Sequence, residues 1–261
     1  MKKNNHFELI LFDIDGVLEY QGKVYPGAIE LTENIREHGI NLRFLTNSTL
    51  KSAKSAAFKL QSKGFNAYEQ EVITASKATA LYLKELNPRS IWLLLSREGV
   101  DEFSEFIHDS ENPEYVVIGD CRDDFNFSNM NKVLQKVVEG AKLIGMISGL
   151  VDSSLGSLEL NVGSWVGMIE RAANVKATYI GKPNRFVFDL ILSQFPAINR
   201  KNVLMVGDSV DSDIIGARNA GIRSVLVKQG EFSEKDLLKK VKPDYIIDQI
   251  GDLSNILFLR S

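Results

Sequence analysis

Asp13 and Asp15 stand two residues apart at the end of an apolar run, in Phe12-Asp13-Ile14-Asp15-Gly16-Val17-Leu18. The preceding Glu8-Leu9-Ile10-Leu11-Phe12 has the composition of a buried strand and gives way at once to charge and a turn residue. Side chains alternate along a strand, so both carboxylates are expected to point the same way. Like charges so close repel in a partly buried site unless a cation or a shared proton relieves them. The pair therefore directs attention to a metal.

Three further segments offer partners. Phe44-Leu45-Thr46-Asn47-Ser48 places a hydroxyl and an amide after a strand-like run. Gly181-Lys182-Pro183 sets a lone lysine before a proline that opens a helical period. Val203-Leu204-Met205-Val206-Gly207-Asp208-Ser209 ends another apolar run in a carboxylate, with Asp211 and Asp213 following as a helix begins. Each has an ordinary structural explanation: Asp-x-Asp occurs in many turns, and an acid in a first helical turn caps amides and complements the dipole. That explanation suits Asp211. It suits Asp208 less well, because only Gly207 separates it from the strand. Four such segments in order, three of them directly after a strand, point to convergence on one site.

The chemistry is mutually consistent. A few oxygen ligands suit Mg²⁺, which keeps waters and takes up a substrate phosphate. Phosphoryl transfer needs an in-line nucleophile and positive charge or donors around the equatorial oxygens. Asp13 can attack, Thr46 can donate, Lys182 can neutralise, and Asp15 can protonate the departing oxygen and later deprotonate water.

The elements that must position these residues alternate nearly throughout. Strand-like runs lie at 9–12, 42–46, 91–95, 115–118, 143–147, 203–206 and 224–227. Helical periods lie near 27–38, 50–63, 75–85, 127–138, 164–173, 184–193 and 211–219. Such alternation implies an α/β protein built on a parallel sheet covered on both faces, with its ligand site at the carboxyl ends of the strands. The stretch from about 74 to 178 has strands and helices of its own but no polar motif after them, as an inserted domain would.

The 261 residues carry 31 basic and 34 acidic side chains, a net charge of −3, with no lysine or arginine run of the kind that binds nucleic acid. Apolar stretches such as 143–147 are too short to cross a bilayer, and no signal-peptide core precedes Asp13. Cys121 is the single cysteine, in a polar stretch, and is expected to be an incidental surface thiol. A reducing, cytoplasmic setting fits. His6, His38 and His108 are scattered and expected at the surface, so no zinc site is inferred.

Taken together, Asp13-Ile-Asp15-Gly16-Val-Leu, Leu45-Thr46-Asn47-Ser48, Gly181-Lys182-Pro183 and Gly207-Asp208-Ser-Val-Asp-Ser-Asp213 resemble the four motifs of the haloacid dehalogenase (HAD) superfamily of phosphatases. Their order and spacing are similar to the subclass of NagD-type enzymes and p-nitrophenylphosphatases (class IIA, with a C2 cap). The resemblance implies a Rossmann-like core from 1–73 and 179–261, with a smaller α/β cap domain for substrate specificity inserted at 74–178. It implies Asp13 as nucleophile and metal ligand, and Asp15 as general acid/base that binds metal through its backbone carbonyl. It further implies Thr46, Asn47 and Lys182 at the phosphate, and Asp208 and Asp213 as further Mg²⁺ ligands, Asp213 directly or through water. Ser209 and Ser212 stand where relatives often carry arginine and threonine. Within the cap, Phe127-Ser-Asn-Met-Asn-Lys, Leu158-Glu-Leu-Asn-Val-Gly-Ser-Trp165 and Asn174-Val-Lys-Ala-Thr resemble the branch holding phospholysine/phosphohistidine/pyrophosphate phosphatase.

The resulting expectation is a Mg²⁺-dependent phosphatase acting on a small phosphorylated metabolite through an aspartyl-phosphate. The resemblance also implies a homodimer formed through the cap; neither nucleic acid nor membrane is expected as a partner. A phosphotransferase or mutase would use the same core. A catalytically silent phosphate-binding module would not need Asp15. Trp165 is open to two roles, stacking on a substrate or packing in the cap.

Overall fold

The computed structural model describes residues 6–152 and 157–258. The chain divides into two compact units. One takes in Met1–Thr46, Ala57–Ile73 and Lys182–Ser261; the other takes in Asn47–Ala56 and Thr74–Gly181. The short segment Asn47–Ala56, which the sequence reading leaves in the first domain, thus has its neighbours in the second unit.

A six-stranded sheet organises the first unit. Its order is Tyr245–Ile247, Arg223–Val227, Val203–Gly207, Leu9–Phe12, Asn41–Thr46 and Val72–Thr74. Leu9–Phe12 sits near the middle, paired in parallel with Val203–Gly207 on one side and Asn41–Thr46 on the other. All four of its residues are buried, which explains an unbroken apolar run where a one-faced strand would alternate. From Leu9–Phe12 the chain first builds outward through Asn41–Thr46, then returns to lay down Val203–Gly207 on the other flank. Strand order reverses there, and at such a point loops splay apart and leave room for a ligand. The two edge strands, Val72–Thr74 and Tyr245–Ile247, are absent from the sequence expectation because three residues give too short a pattern to recognise.

The helix expected near 211–219 differs in an informative way. Val210–Ile214 forms one wide π turn, and only Ile215–Ala220 is α-helical. Such turns are uncommon and gather at functional sites, because they re-aim a side chain that a regular helix would direct elsewhere. Helix Ile215–Ala220 packs on Arg185–Leu192 through Gly216, where an added Cβ would lie 2.5 Å from the ring of Phe188 and 3.3 Å from the Cα of Pro183. The chain leaves Lys182 and enters helix Arg185–Leu192 through Asn184, whose side chain accepts from the Phe186 amide.

The second unit is α/β as well. Its parallel sheet runs Thr178–Tyr179, Lys142–Gly145, Tyr115–Ile118 and Ile91–Leu94. Helices Ala75–Leu86, Phe127–Val138 and Val162–Ala173 accompany it, capped by the side chains of Thr74, Asn126 and Asn161. Trp165 stacks on Phe125 at 4.8 Å with the rings 5° from parallel, so the indole has an intramolecular partner. Cys121 departs from expectation. It is buried, and burial, with Asp124 and Asp120 nearby, pushes its thiol up to about 12, so it stays protonated and unreactive. The histidines are exposed, as expected.

The closeness of the two helices at Gly216 yields a direct test. Gly216→Leu should lower thermal stability by several degrees, corresponding to about 1–3 kcal/mol of overpacking against Phe188. An unchanged melting curve would contradict the packing described.

Candidate active site

Three acidic side chains come together at the carboxyl ends of the central strands. Asp13 follows Leu9–Phe12, Asp208 follows Val203–Gly207, and Asp213 lies in the π turn. Each offers a carboxylate oxygen, and the three oxygens lie within 4.8 Å of one another. All three residues are buried, Asp213 completely. The Lys182 ammonium lies among them, 2.8 Å from Asp13 Oδ1 and 2.7 Å from Asp213 Oδ1, and donates to the Leu45 carbonyl at 3.2 Å. Residues some two hundred positions apart in sequence therefore share one buried charge cluster.

Glycine makes that closeness possible. Asp208 lies against Gly16 and Gly230, and a Cβ on either would fall about 2 Å from its Oδ2 (2.0 and 2.1 Å). Both glycines also have positive φ, +92° and +57°, which side chains rarely adopt. The same oxygen accepts from the Glu231 amide at 2.7 Å. Gly207 plays the corresponding part for Asp213, whose Cβ lies 2.2 Å from where a Gly207 Cβ would be. Asp213 is closed onto the turn by two further bonds: its own amide donates to the Ser209 carbonyl at 3.0 Å, and the Ser209 amide donates to Asp213 Oδ2 at 3.2 Å. Asp13 is fixed through its amide, which donates to the Val206 carbonyl at 2.9 Å.

Burial dominates the electrostatics. It raises the Asp13 carboxyl to about 7; Lys182 opposes the rise, while Asp213 and Asp15 add to it. Asp208 is likewise pushed well above the usual carboxylate range, by burial first and then by Asp13 and Asp213. Burial pulls Lys182 down, but its two carboxylate partners outweigh this and its pKa rises, so it remains an ammonium. One lysine does not balance three carboxylates. Protons or a cation must make up the difference. The donor set is all oxygen, compact and acidic, and it fits a hard divalent cation.

The other predicted residues fall as follows. Thr46 is buried at the end of strand Asn41–Thr46, the immediate neighbour of the Asp13 strand. Asn47 belongs to the second unit, where its amide oxygen would lie 2.7 Å from a Cβ on Gly181. Asp15 does not join the carboxylate cluster. The strand stops at Phe12, so alternation no longer governs residues 13–15, and the Asp15 side chain is half exposed with an oxygen 3.8 Å from Lys59 Nζ. Asp211 is exposed and ion-paired with Lys239 at 2.7 Å.

Two models of one family match most of the chain. Haloacid dehalogenase-like hydrolase matches residues 10–106, and the HAD-hydrolase-like model matches 179–253. The phospholysine phosphohistidine inorganic pyrophosphate phosphatase of Homo sapiens is 32% identical over 256 residues, 95% of this chain and 93% of its own. The chain belongs to the haloacid dehalogenase-like hydrolases. Within them it falls in the NagD-like subclass, and it is a hydrolase of phosphoesters. Among solved structures, 4-nitrophenylphosphatase from Thermotoga maritima has a TM-score of 0.89 at 29% identity, covering 95% of this chain and 97% of that one. NagD from E. coli has a TM-score of 0.86 at 24% identity over 95% and 98%, a likeness of fold.

Sequence reasoning misses two parts of this hydrolase's site. Gly230 and Glu231 hold Asp208, yet the only sign of them is a glycine shortly after strand Arg223–Val227. Glu19, Lys59 and Lys63 form a second, partly buried ion cluster beside Asp15. A glutamate at the end of a short turn and two lysines some forty residues away, one on helix Ala53–Ser62 and one just after it, give no local signal.

The raised carboxyls fix the sign of a pH effect. In metal-free protein the folded state holds protons that the unfolded chain releases near pH 4, so folding takes up protons between about 4 and 7. Stability supplied by these groups is present below about pH 4 and is lost as pH rises towards 7. In EDTA, the melting temperature should therefore carry a downward contribution between pH 5 and 7.5 that an Asp208→Asn variant reduces. Divalent cation at one fixed concentration, about a hundredfold its dissociation constant at pH 8, should raise the melting temperature there by about 5 °C, and by less at pH 5.5, where protons compete for the same carboxylates. A cation effect independent of pH would contradict the assignment of these carboxylates as ligands.

Proposed function

We propose that this chain is a Mg²⁺-dependent phosphatase that hydrolyses a small phosphorylated metabolite through a covalent phosphate on Asp13. The observation that carries the reading is the Lys182 ammonium held at 2.8 Å from Asp13 and 2.7 Å from Asp213, with Asp208 in the same cluster. A buried nucleophile, a fixed cation and a set of oxygen ligands together are what an anionic phosphoryl group requires.

Asp13, Asp208 and Asp213 would hold Mg²⁺ through their carboxylates, and Asp15 through its backbone carbonyl. When bound, the ion would neutralise phosphoryl charge and keep Asp13 ionised. An Asp13 oxygen attacks phosphorus, the bond from phosphorus to the leaving oxygen breaks, and that oxygen takes the Asp15 proton. Lys182 stays charged throughout and lowers the cost of bringing a phosphoryl group to a carboxylate. Thr46 donates to a phosphoryl oxygen, and Asn47 contacts the phosphate or orders its loop. Water then gives a proton to Asp15 and attacks the acyl-phosphate, the phosphorus–Asp13 bond breaks, and phosphate leaves. The second unit acts as the cap that selects the substrate. The likeness to a phosphatase named for phospholysine, phosphohistidine and inorganic pyrophosphate brings those compounds to the head of a substrate panel. The reading includes a cytoplasmic setting, consistent with a single, buried cysteine, and a homodimer through the cap. Among the described residues no helix is long and apolar enough to cross a membrane.

Purified protein should release phosphate from p-nitrophenyl phosphate, lose that activity in EDTA and regain it with Mg²⁺. Asp13→Asn should lower kcat by about three orders of magnitude or more, because it removes the attacking group. Lys182→Met should lower kcat by about 10²–10³ while the protein still folds in Mg²⁺. Full activity of Asp13→Asn would overturn the mechanism. Mg²⁺-dependent phosphate binding without turnover across sugar phosphates, nucleotides, phosphoamino acids and pyrophosphate would favour a silent binding module.

A further inference from the structure

Asp15 and Glu19 are joined by a tight turn. The Gly16 amide donates to the Glu19 carbonyl at 2.6 Å, and the Leu18 and Glu19 amides both donate to the Ile14 carbonyl, at 2.9 and 3.2 Å. The Glu19 carboxylate is almost wholly buried, its side chain 1% exposed. One of its oxygens is ion-paired with Lys59 and the other with Lys63. Lys59 stands on helix Ala53–Ser62, and Lys63 follows that helix directly. The Lys59 ammonium also lies 3.8 Å from Asp15 Oδ1. All four residues belong to the first unit. Placing an ion cluster around a buried glutamate is costly unless its geometry is fixed, and a lysine on the helix with another directly after its end fixes it. Lys63 pairs with Glu19 and acts on Asp15 only at longer range. Of the two lysines, Lys59 is the one ion-paired with both Glu19 and Asp15.

We propose that Lys59 is a positioning residue for the Asp15 carboxyl, anchored by the buried Glu19 and holding the half-exposed Asp15 side chain in reach of the departing oxygen. This rests on the reading of Asp15 as general acid. An acid on a half-exposed side chain spends much of its time in unproductive rotamers unless something restrains it, and a positioned acid contributes typically 10²–10⁴-fold. A lysine clamped at its far side by a buried carboxylate supplies that restraint without being consumed.

Leaving-group dependence separates this role from a structural one. The substrates are aryl phosphates of similar shape: p-nitrophenyl, phenyl and p-methoxyphenyl phosphate, measured as kcat/KM with saturating Mg²⁺. The nitrophenolate departs with little help from a proton, and the other two need it more. Lys59→Met should lower kcat/KM about threefold for p-nitrophenyl phosphate and about thirtyfold for p-methoxyphenyl phosphate, a part of the acid's full contribution. Lys59→Arg should restore most of the loss. Lys59→Gln, which keeps polar length without charge, gives the same comparison if the methionine variant does not fold. An equal loss on all three substrates, or no loss at all, overturns the proposal. Asp15→Asn is the control: a steeper slope than Lys59→Met supports both readings. A flat Asp15→Asn response shows instead that the acid assignment has failed, whatever Lys59 does.

Discussion

Repulsion among buried carboxylates is the constraint on which the rest of this structure depends. Asp13, Asp208 and Asp213 bring their oxygens within 4.8 Å in a site that excludes most water. In such a medium the charged forms are disfavoured twice, by lost hydration and by one another. Lys182 relieves part of this and cannot relieve all of it, which is why Asp13 rises to about 7 and Asp208 rises as well. An arrangement of this kind is poor for stability alone; apolar residues of the same volume would serve a scaffold better. What it provides is a standing demand for positive charge, which the proposed Mg²⁺ would meet.

The fold's part is to bring the groups into contact without clashes. Strand order places the ends of Val203–Gly207, Leu9–Phe12 and Asn41–Thr46 side by side, which delivers Asp208, Asp13 and Thr46 to one edge. The side chains still could not converge if their neighbours carried Cβ atoms. Gly16 and Gly230 vacate the space beside Asp208, and Gly207 vacates it beside Asp213. The π turn Val210–Ile214 completes the set by turning Asp213 inward while Asp211, two residues earlier, remains exposed and pairs with Lys239. Two acids in one turn are thus given different tasks by a single change in backbone winding.

This division explains which parts of the site were legible in the sequence. Asp13, Asp208 and Thr46 follow apolar strands directly, and position after a strand is a property that a one-dimensional pattern retains. Lys182 could be picked out because a lone lysine precedes a proline that opens a helical period. Gly230 and Glu231 were not legible, since their importance arises from Asp208, more than twenty residues upstream in a different strand's loop. The edge strands were missed because three residues carry too little periodicity, and helix 211–219 was placed correctly but not its first, wide turn. Cys121 shows the same limit from the other side. Its polar neighbours Asp120, Arg122 and Asp123 suggested a surface, whereas the thiol itself is turned inward.

The orientation of Asp15 is the most instructive departure, because it separates two carboxyl environments that the sequence presents as a pair. Asp13 looks into a buried cluster short of positive charge, and Asp15 looks toward Lys59 with half its side chain in water. A nucleophile must stay ionised and dry, whereas a group that exchanges protons with water must remain accessible to it. Ending the strand at Phe12 is the step that separates the two environments, since three more residues of extended chain, through Asp15, would have aimed both side chains the same way. The tight turn from Ile14 to Glu19 then carries Asp15 to a second set of charges built around Glu19, Lys59 and Lys63. In the proposed mechanism the attacking oxygen and the travelling proton are therefore governed by separate ion clusters, joined by only a few residues of backbone.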